Sequence, residues 1–217
     1  MTKITKQELN HLIKEEVRKQ TSRGRLFESN DEDFEIQGTT LVRYKGKDSD
    51  VTIPNGITKI GEMAFHSCKN EKSIIIPDSV TYIGENAFMA CRNLKSIILS
   101  NNIKFIGGYT FAYCESLPSI TIPDSVQYID DWAFYNCTSL KSITIPNSVK
   151  EIGRYAFCFC ENLKSIIIPD SITRIGKEAF HHCFNSTNIQ IPKRFKDELT
   201  LKYLGFYDKQ IDIILND

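Results

Sequence analysis

Seven cysteines, four histidines and 27 acidic residues are the side chains from which a reactive site would be built. His181, His182 and Cys183 are the place where zinc-ligating types adjoin. A zinc site needs three or four converging ligands, and adjacent His side chains diverge, so this triplet predicts no metal centre. Six of the cysteines, at 68, 91, 114, 137, 160 and 183, recur at one spacing of 23 residues. A thiol repeated in that way fills a small apolar core position. Stacked side chains pointing in parallel make disulfide geometry poor, so the column predicts reduced, buried thiols. Cys158 falls outside it and is the candidate for an exposed, reactive thiol. There is no Gly-rich phosphate loop, and no Ser/His/Asp or Cys/His constellation has independent support. The carboxylates are scattered over predicted turns, which does not indicate a paired acid and base. The expectation is a chain without catalytic residues, metal or cofactor.

The elements that position these side chains follow from the same period. Phe recurs at 65, 88, 111, 134, 157 and 180, and Ile at 60, 83, 106, 129, 152 and 175. Pro stands at 54, 77, 123, 146, 169 and 192, with Ser100 in the missing slot. A single unit cannot bury its apolar positions alone, whereas stacked units can. Within one unit, Ser142 to Ile145 alternates and is β-branched, which reads as a short strand. Pro146 ends it, because proline has no N–H for a sheet ladder. Val149 to Ile152 reads as extended again, and Gly153 allows a turn. Ala156, Phe157 and Cys160 sit at helical spacing, which predicts one turn of helix.

The unit Leu-x-x-Ile-x-Ile-Pro-x-x-Val-x-x-Ile-Gly-x-x-Ala-Phe-x-x-Cys resembles the BspA-like, or treponemal-type, leucine-rich repeat over about residues 51–192. The resemblance implies an α/β repeat: a right-handed leucine-rich-repeat solenoid of about six coils with a parallel β-sheet and short helical turns. It also implies protein binding, no catalytic residues, and a place on or outside a microbial cell, sometimes as an adhesin. The absence of an apolar stretch in Met1–Gln20, together with free thiols, predicts instead a cytoplasmic chain. Both compartments stay open.

Inside the array, Glu71 and Ser186 replace the Leu of the unit in the first and last coils, where half-exposure is expected. Thr110 replaces Ala, Asp130 replaces Gly, and Leu99-Ser100 replaces Ile-Pro, with no break in the stack expected. Residues 34–50 read as an N-terminal hairpin cap with Phe34, Ile36, Leu41 and Tyr44, and with Gly38 and Gly46 in turns. Thr5-Lys6-Gln7-Glu8 is a capping box. It opens a predicted helix to about Gln20 with Leu9, Leu12, Ile13 and Val17 on one stripe. Residues 21–33 read as a linker. At 193–217, Phe195, Leu199, Tyr203 and Leu204 before Gly205, and Ile211, Ile214 and Leu215 after Asp208, predict two capping helices.

Two outward surfaces are candidate binding faces. The first is the strand column Ile75, Ile98, Thr121, Thr144, Ile167 and Gln190. Beside it run Ser73, Ser96, Ser119, Ser142 and Ser165, preceded by Lys72, Lys95, Lys141 and Lys164. The second is aromatic: Tyr109, Tyr113, Trp132, Tyr155 and Phe159 on one predicted helical face, with Tyr135 at its edge. Tyr82, Phe105 and Tyr128 form a further column. Aromatic residues concentrate at protein interfaces because they bury much area at low entropic cost. They also stabilise a stack by lying over one another. Lys and Arg equal Asp and Glu at 27 each. Zero net charge gives no footprint for nucleic acid or an anionic membrane, and no apolar run is long enough for a membrane helix. The expected partner is another protein, with a homodimer through the N-terminal helix or the array ends as the alternative.

Overall fold

The computed structural model describes residues 31–183 and 185–216. The predicted helix over 5–20 and nearly all of the predicted linker lie outside them. Asp31–Asp33 forms a 3-10 turn, and strands β1 (Phe34–Gln37) and β2 (Thr40–Tyr44) pair antiparallel. Gly38 turns the hairpin at φ +61°, a left-handed conformation that glycine adopts without steric cost.

From there the chain winds. Seven three-residue strands follow: Asp50–Thr52, Ser73–Ile75, Ser96–Ile98, Ser119–Thr121, Ser142–Thr144, Ser165–Ile167 and Asn188–Gln190. Between them lie six two-residue strands at Lys59–Ile60, Tyr82–Ile83, Phe105–Ile106, Tyr128–Ile129, Glu151–Ile152 and Arg174–Ile175. Pairing between coils is parallel and in step with the sequence period, so Ile143 lies beside Ile120 and Ile152 beside Ile129. The repeating Ile, Val, Ala, Phe and Leu positions point inward and are buried. This is the β-solenoid that the repeat predicts.

The segment around Ala156 and Phe157 differs from the predicted helical turn. It is a run of turns bounded by two left-handed residues per coil. These are Met63 and Ser67, Asn86 and Ala90, Tyr109 and Tyr113, Trp132 and Asn136, Tyr155 and Phe159, and Glu178 and His182. A left-handed L-residue costs roughly 1–2 kcal/mol. The offset comes from the neighbouring coil. The amides of Tyr109, Phe111 and Tyr113 donate to the carbonyls of Asp131, Ala133 and Tyr135 at 3.2, 2.8 and 2.7 Å. A helical turn would aim those amides along its own axis and leave the next coil's carbonyls without donors.

Six core phenylalanines stack along the array. Phe134, for example, lies 5.4 Å from Phe111 and 5.2 Å from Phe157. Residues of the caps continue the stack at both ends. Tyr44 packs on Phe65 at 5.2 Å, and Phe206 packs on Phe180 at 5.4 Å. The C-terminal cap also takes over hydrogen bonding. Helix α1 (Glu198–Leu204) ends at Gly205, φ +94°, and its Tyr203 and Leu204 carbonyls accept from Glu178 and Phe180. Helix α2 (Asp208–Asn216) follows. The apolar stripe expected in α1 is shifted: Leu201 and Leu204 are buried, while Leu199 and Tyr203 face outward. In α2, Ile211 and Ile214 are buried and Leu215 is exposed.

The buried polar groups correct three expectations. Glu71 and Ser186 are not half-exposed but sealed, at 3% and 2% exposure. The Glu71 carboxylate accepts from the Asn70 amide, and the Ser186 hydroxyl donates to the Leu163 carbonyl at 2.6 Å. A hydrogen bond makes such burial affordable where a bare polar atom would not be. Cys68 and Cys91 form a disulfide rather than a pair of thiols. The column's other thiols follow the expectation, with Cys137 donating to the Phe111 carbonyl at 3.1 Å. Cys158 is buried, and burial pushes its thiol up to about 12. A thiol that ionises so weakly is a poor nucleophile.

Coil Ser96–Pro118 is irregular. Its three-residue strand pairs only with the preceding coil, and its two-residue strand only with the following one. Pro118 occupies the position from which Lys95 and Lys141 donate to the coil before, and proline has no amide hydrogen. The glycine column registers the consequence. A Cβ on Gly84 would lie 2.5 Å from the Glu62 nitrogen and 2.8 Å from the Gly61 carbonyl carbon. One on Gly107 would meet nothing nearer than 3.5 Å. Gly84→Ala is therefore expected to cost about 1–3 kcal/mol of stability through overpacking against backbone. Gly107→Ala, at the same repeat position, is expected to be nearly neutral. Urea denaturation of the two variants checks this, and equal losses would refute the account.

Candidate aromatic binding face

The left-handed residues set where the aromatic side chains go. Each opens the turn segment outward at a fixed place in the coil, so equivalent rings in successive coils lie over one another. Tyr109, Trp132 and Tyr155 stack face to face, at 5.1 Å and 3° and then 5.4 Å and 12°. The Arg154 guanidinium lies 5.8 Å over the Trp132 ring. It is held there by Asp131, with both Nη2 and Nε at 3.0 Å from Oδ2. Asp131 also accepts from the Arg154 amide at 2.6 Å. The ladder is thus clamped at one edge by an ion pair, and an anchored cation over an aromatic face gains roughly 0.5–1 kcal/mol at an exposed site.

A second ladder runs beside it. Tyr113 meets Tyr135 edge-on at 5.4 Å, and Tyr135 meets Phe159 edge-on at 5.5 Å. Tyr135 comes from a different column and interleaves with the other two, so it is a central member and not an edge residue. Burial, reinforced by the neighbouring Tyr113, raises the Tyr135 phenol above its usual value. The six predicted aromatic residues therefore form two ladders, not one helical stripe. All six are half-buried. Rings that stack on each other and still present an edge to water are pre-organised, and ordering them on contact with a partner costs little.

Three further members extend this face: His181 and His182 stand at the repeat positions of Tyr135 and Phe159, and Tyr207 lies outside the repeat. Phe159 stacks on His182 at 4.3 Å. His181 lies 4.1 Å from His182, and the Tyr207 hydroxyl approaches His181 Nδ1 at 3.5 Å and His182 Nδ1 at 3.4 Å. Tyr207 belongs to the C-terminal cap, so only the docking of that cap brings it here. Burial, and then the neighbouring His182, lowers the His181 pKa below 6.5, while Glu178 opposes this. A histidine with a lowered pKa stays neutral in the folded state while its unfolded counterpart binds a proton, so stability falls as pH drops below about 6.5. His181→Gln is expected to flatten the loss of melting temperature between pH 7 and pH 5. An unchanged slope would assign that loss to other groups.

The strand column is a separate surface. Ile75 and Ile98 are half-exposed, and Thr121, Thr144 and Ile167 are exposed, the last at 46%. Tyr82 and Tyr128 are exposed on the two-residue strands, with Phe105 edge-on to Tyr82 at 5.3 Å. Among the described residues, no three His, Cys, Asp or Glu side chains converge as metal ligands do, and no helix is long and apolar enough to cross a membrane.

Comparison with known proteins places these faces in context. The profile of the BspA type leucine rich repeat region matches residues 43–160 and 105–199 in six copies. A leucine rich repeat protein of T. pallidum is similar at 31% identity and TM-score 0.73, over 76% of this chain and 83% of that one. A leucine rich cell surface protein of Faecalibacterium prausnitzii is 33% identical with TM-score 0.54, over 76% of this chain but only 38% of its own length. A leucine-rich repeat protein of Bacteroides ovatus is 28% identical with TM-score 0.55, over 73% of this chain and 51% of its own. The chain thus spans about a third to a half of the last two relatives. None of the curated proteins matches the chain.

Proposed function

The chain belongs to the BspA-type leucine-rich repeat family, whose repeats suggest a protein-interaction scaffold, and from that premise we propose that it binds another protein through its aromatic face. The observation that carries the reading is the pair of pre-stacked ladders, Tyr109–Trp132–Tyr155 and Tyr113–Tyr135–Phe159. Six half-buried rings supply rigid, amphipathic contact area of the kind that anchors protein interfaces. The anchored Arg154 adds a donor-rich group at the rim. The role is non-catalytic, since scaffold families of this kind work by surface complementarity.

Two observations favour a location outside the cytoplasm over the cytoplasmic expectation. The F. prausnitzii relative is a cell surface protein, and Cys68–Cys91 is a disulfide, which persists in oxidising compartments. A surface position also fits an interaction with a host protein. End-to-end self-assembly has less support, because both ends of the Phe stack are covered by Tyr44 and Phe206.

The test is affinity capture with immobilised wild type and a Trp132→Ala/Tyr155→Ala variant, followed by mass spectrometry. A protein retained only by wild type supports the aromatic face. Equal retention by both baits refutes it.

A further inference from the structure

We propose that the outward face of the three-residue strands is a docking surface for an acidic amphipathic helix of a partner protein, laid along the solenoid axis. The inference concerns a different surface from the aromatic face and does not depend on it. Three parallel rows carry it: one of ammonium groups, one of hydroxyls and one of apolar side chains.

The first row is Lys72, Lys95, Lys141 and Lys164, all exposed. Coil stacking brings them into line. The Lys95 amide donates to the Lys72 carbonyl at 2.8 Å, and the Lys164 amide to the Lys141 carbonyl at 3.1 Å. Pro118 fills the slot between the two pairs. Among the described residues, none of these four lysines has an ion pair. Other cations of the array do: Arg92 pairs with Glu115, Arg154 with Asp131 and Arg174 with Glu151. The carboxylates nearest the row in sequence are otherwise placed. Glu71 is sealed and accepts from the Asn70 amide, Glu115 holds Arg92, and Glu161 makes no ion pair with Lys164. Like charges on neighbouring strands repel, so the row destabilises the free array and is relieved by an anionic partner.

The second row, Ser73, Ser96, Ser119 and Ser142, follows directly in the chain, and its hydroxyls make no hydrogen bond among the described residues. Parallel pairing keeps it straight, with Ser73 beside Ser96 and Ser119 beside Ser142. The third row lies two residues further on, where strand alternation points the side chain to the same side as the serine. It holds Ile75 and Ile98, both half-exposed, and Ile167, 46% exposed. A partner that satisfies all three rows needs carboxylates along one edge and aliphatic side chains along the next.

The repeat distance favours a helix. Coils are about 4.8 Å apart, and one helical turn advances about 5.4 Å. Over the four coil steps from Lys72 to Lys164, about 19 Å, the two fall out of step by only about 2.4 Å, within the reach of a flexible lysine. In an extended segment, side chains on one face recur about every 6.6 Å, and the mismatch over the same steps is about 7 Å. A helix of about 13 residues covers the row. A nucleic acid brings the charge without the aliphatic edge, and a chain with 27 basic and 27 acidic residues gives a long polyanion no net attraction. A short segment senses the local row, because charges beyond about 8 Å are screened at physiological ionic strength.

The test is fluorescence anisotropy of a labelled synthetic helical peptide, with glutamates along one edge and leucines along the next, titrated with the full chain. Three further probes accompany it: the same peptide with glutamine for glutamate, a scrambled peptide of the same composition, and oligothymidylate. The acidic helix is expected to bind saturably, more weakly as salt is raised, and each of the other probes at least about tenfold more weakly. Lys95→Glu/Lys141→Glu is expected to weaken the acidic helix by roughly tenfold or more, and Ile98→Asp to weaken it as well. Lys104→Glu/Lys150→Glu makes the same change of charge at exposed lysines two coils apart, next to the two-residue strands, and is expected to leave binding unchanged. Trp132→Ala/Tyr155→Ala is also expected to leave it unchanged, which separates this surface from the aromatic face. Circular dichroism checks that each variant is folded. No binding of the acidic helix, equal binding of any other probe, or an equal loss in either control variant each overturns the proposal.

Discussion

Phe134→Ala is expected to lower the stability of the array by about 3–5 kcal/mol, the range for deleting a buried phenylalanine. The ring is fully buried and has an aromatic neighbour in the coil on either side, at 5.4 and 5.2 Å. Its loss leaves a cavity that cannot collapse, because the spacing of coils is set by two strand ladders and by the turn amides. Stability in a stacked array is a sum over neighbour interfaces, and this residue serves two of them. Denaturation in urea with far-UV circular dichroism measures the change. Tyr128→Ala is the control: that side chain is 46% exposed, and its removal is expected to stay within roughly 0.5 kcal/mol. A loss below about 1 kcal/mol for Phe134→Ala would mean that the stacked rings contribute far less than buried aromatics ordinarily do.

Trp132→Ala/Tyr155→Ala is expected to abolish partner binding while the solenoid stays folded. Central aromatic anchors commonly contribute about 2 kcal/mol or more each to an interface, which is roughly a 30-fold weakening per residue. Removing two adjacent members of the ladder also releases Arg154 from the Trp132 ring, so the effect of the pair is expected to exceed either single change. Fold is checked independently by circular dichroism. Trp132 is the sole tryptophan, so its fluorescence in the wild type reports engagement of this face directly. Binding that survives in the folded double variant would sink the aromatic reading and move attention to the exposed Tyr82 and Tyr128.

The 23-residue period determined, by itself, most of the architecture. Matching Ile, Phe and Cys positions bury only when coils stack in register, and that dictates parallel ladders, an apolar interior and the need for caps. It also put Tyr109, Trp132 and Tyr155 in one column and Tyr113 and Phe159 in another, because their positions repeat.

Other features were settled by contacts that no single repeat contains. The turn segment takes left-handed residues because its amides have better acceptors in the next coil than along a helix axis, so the expected helical stripe became two ladders. Cys158 is sealed and Glu71 is buried because neighbouring coils and caps close over them. Cys68 and Cys91 join while the rest of the column stays reduced. Phe206 and Tyr207 carry no repeat signature, yet one ends the core stack and the other meets both histidines. Gly84 and Gly107 share one repeat position and differ in the room around them. A periodic sequence specifies what is common to every coil. What differs from coil to coil depends on which neighbour lies above and below, and only the folded chain supplies that neighbour.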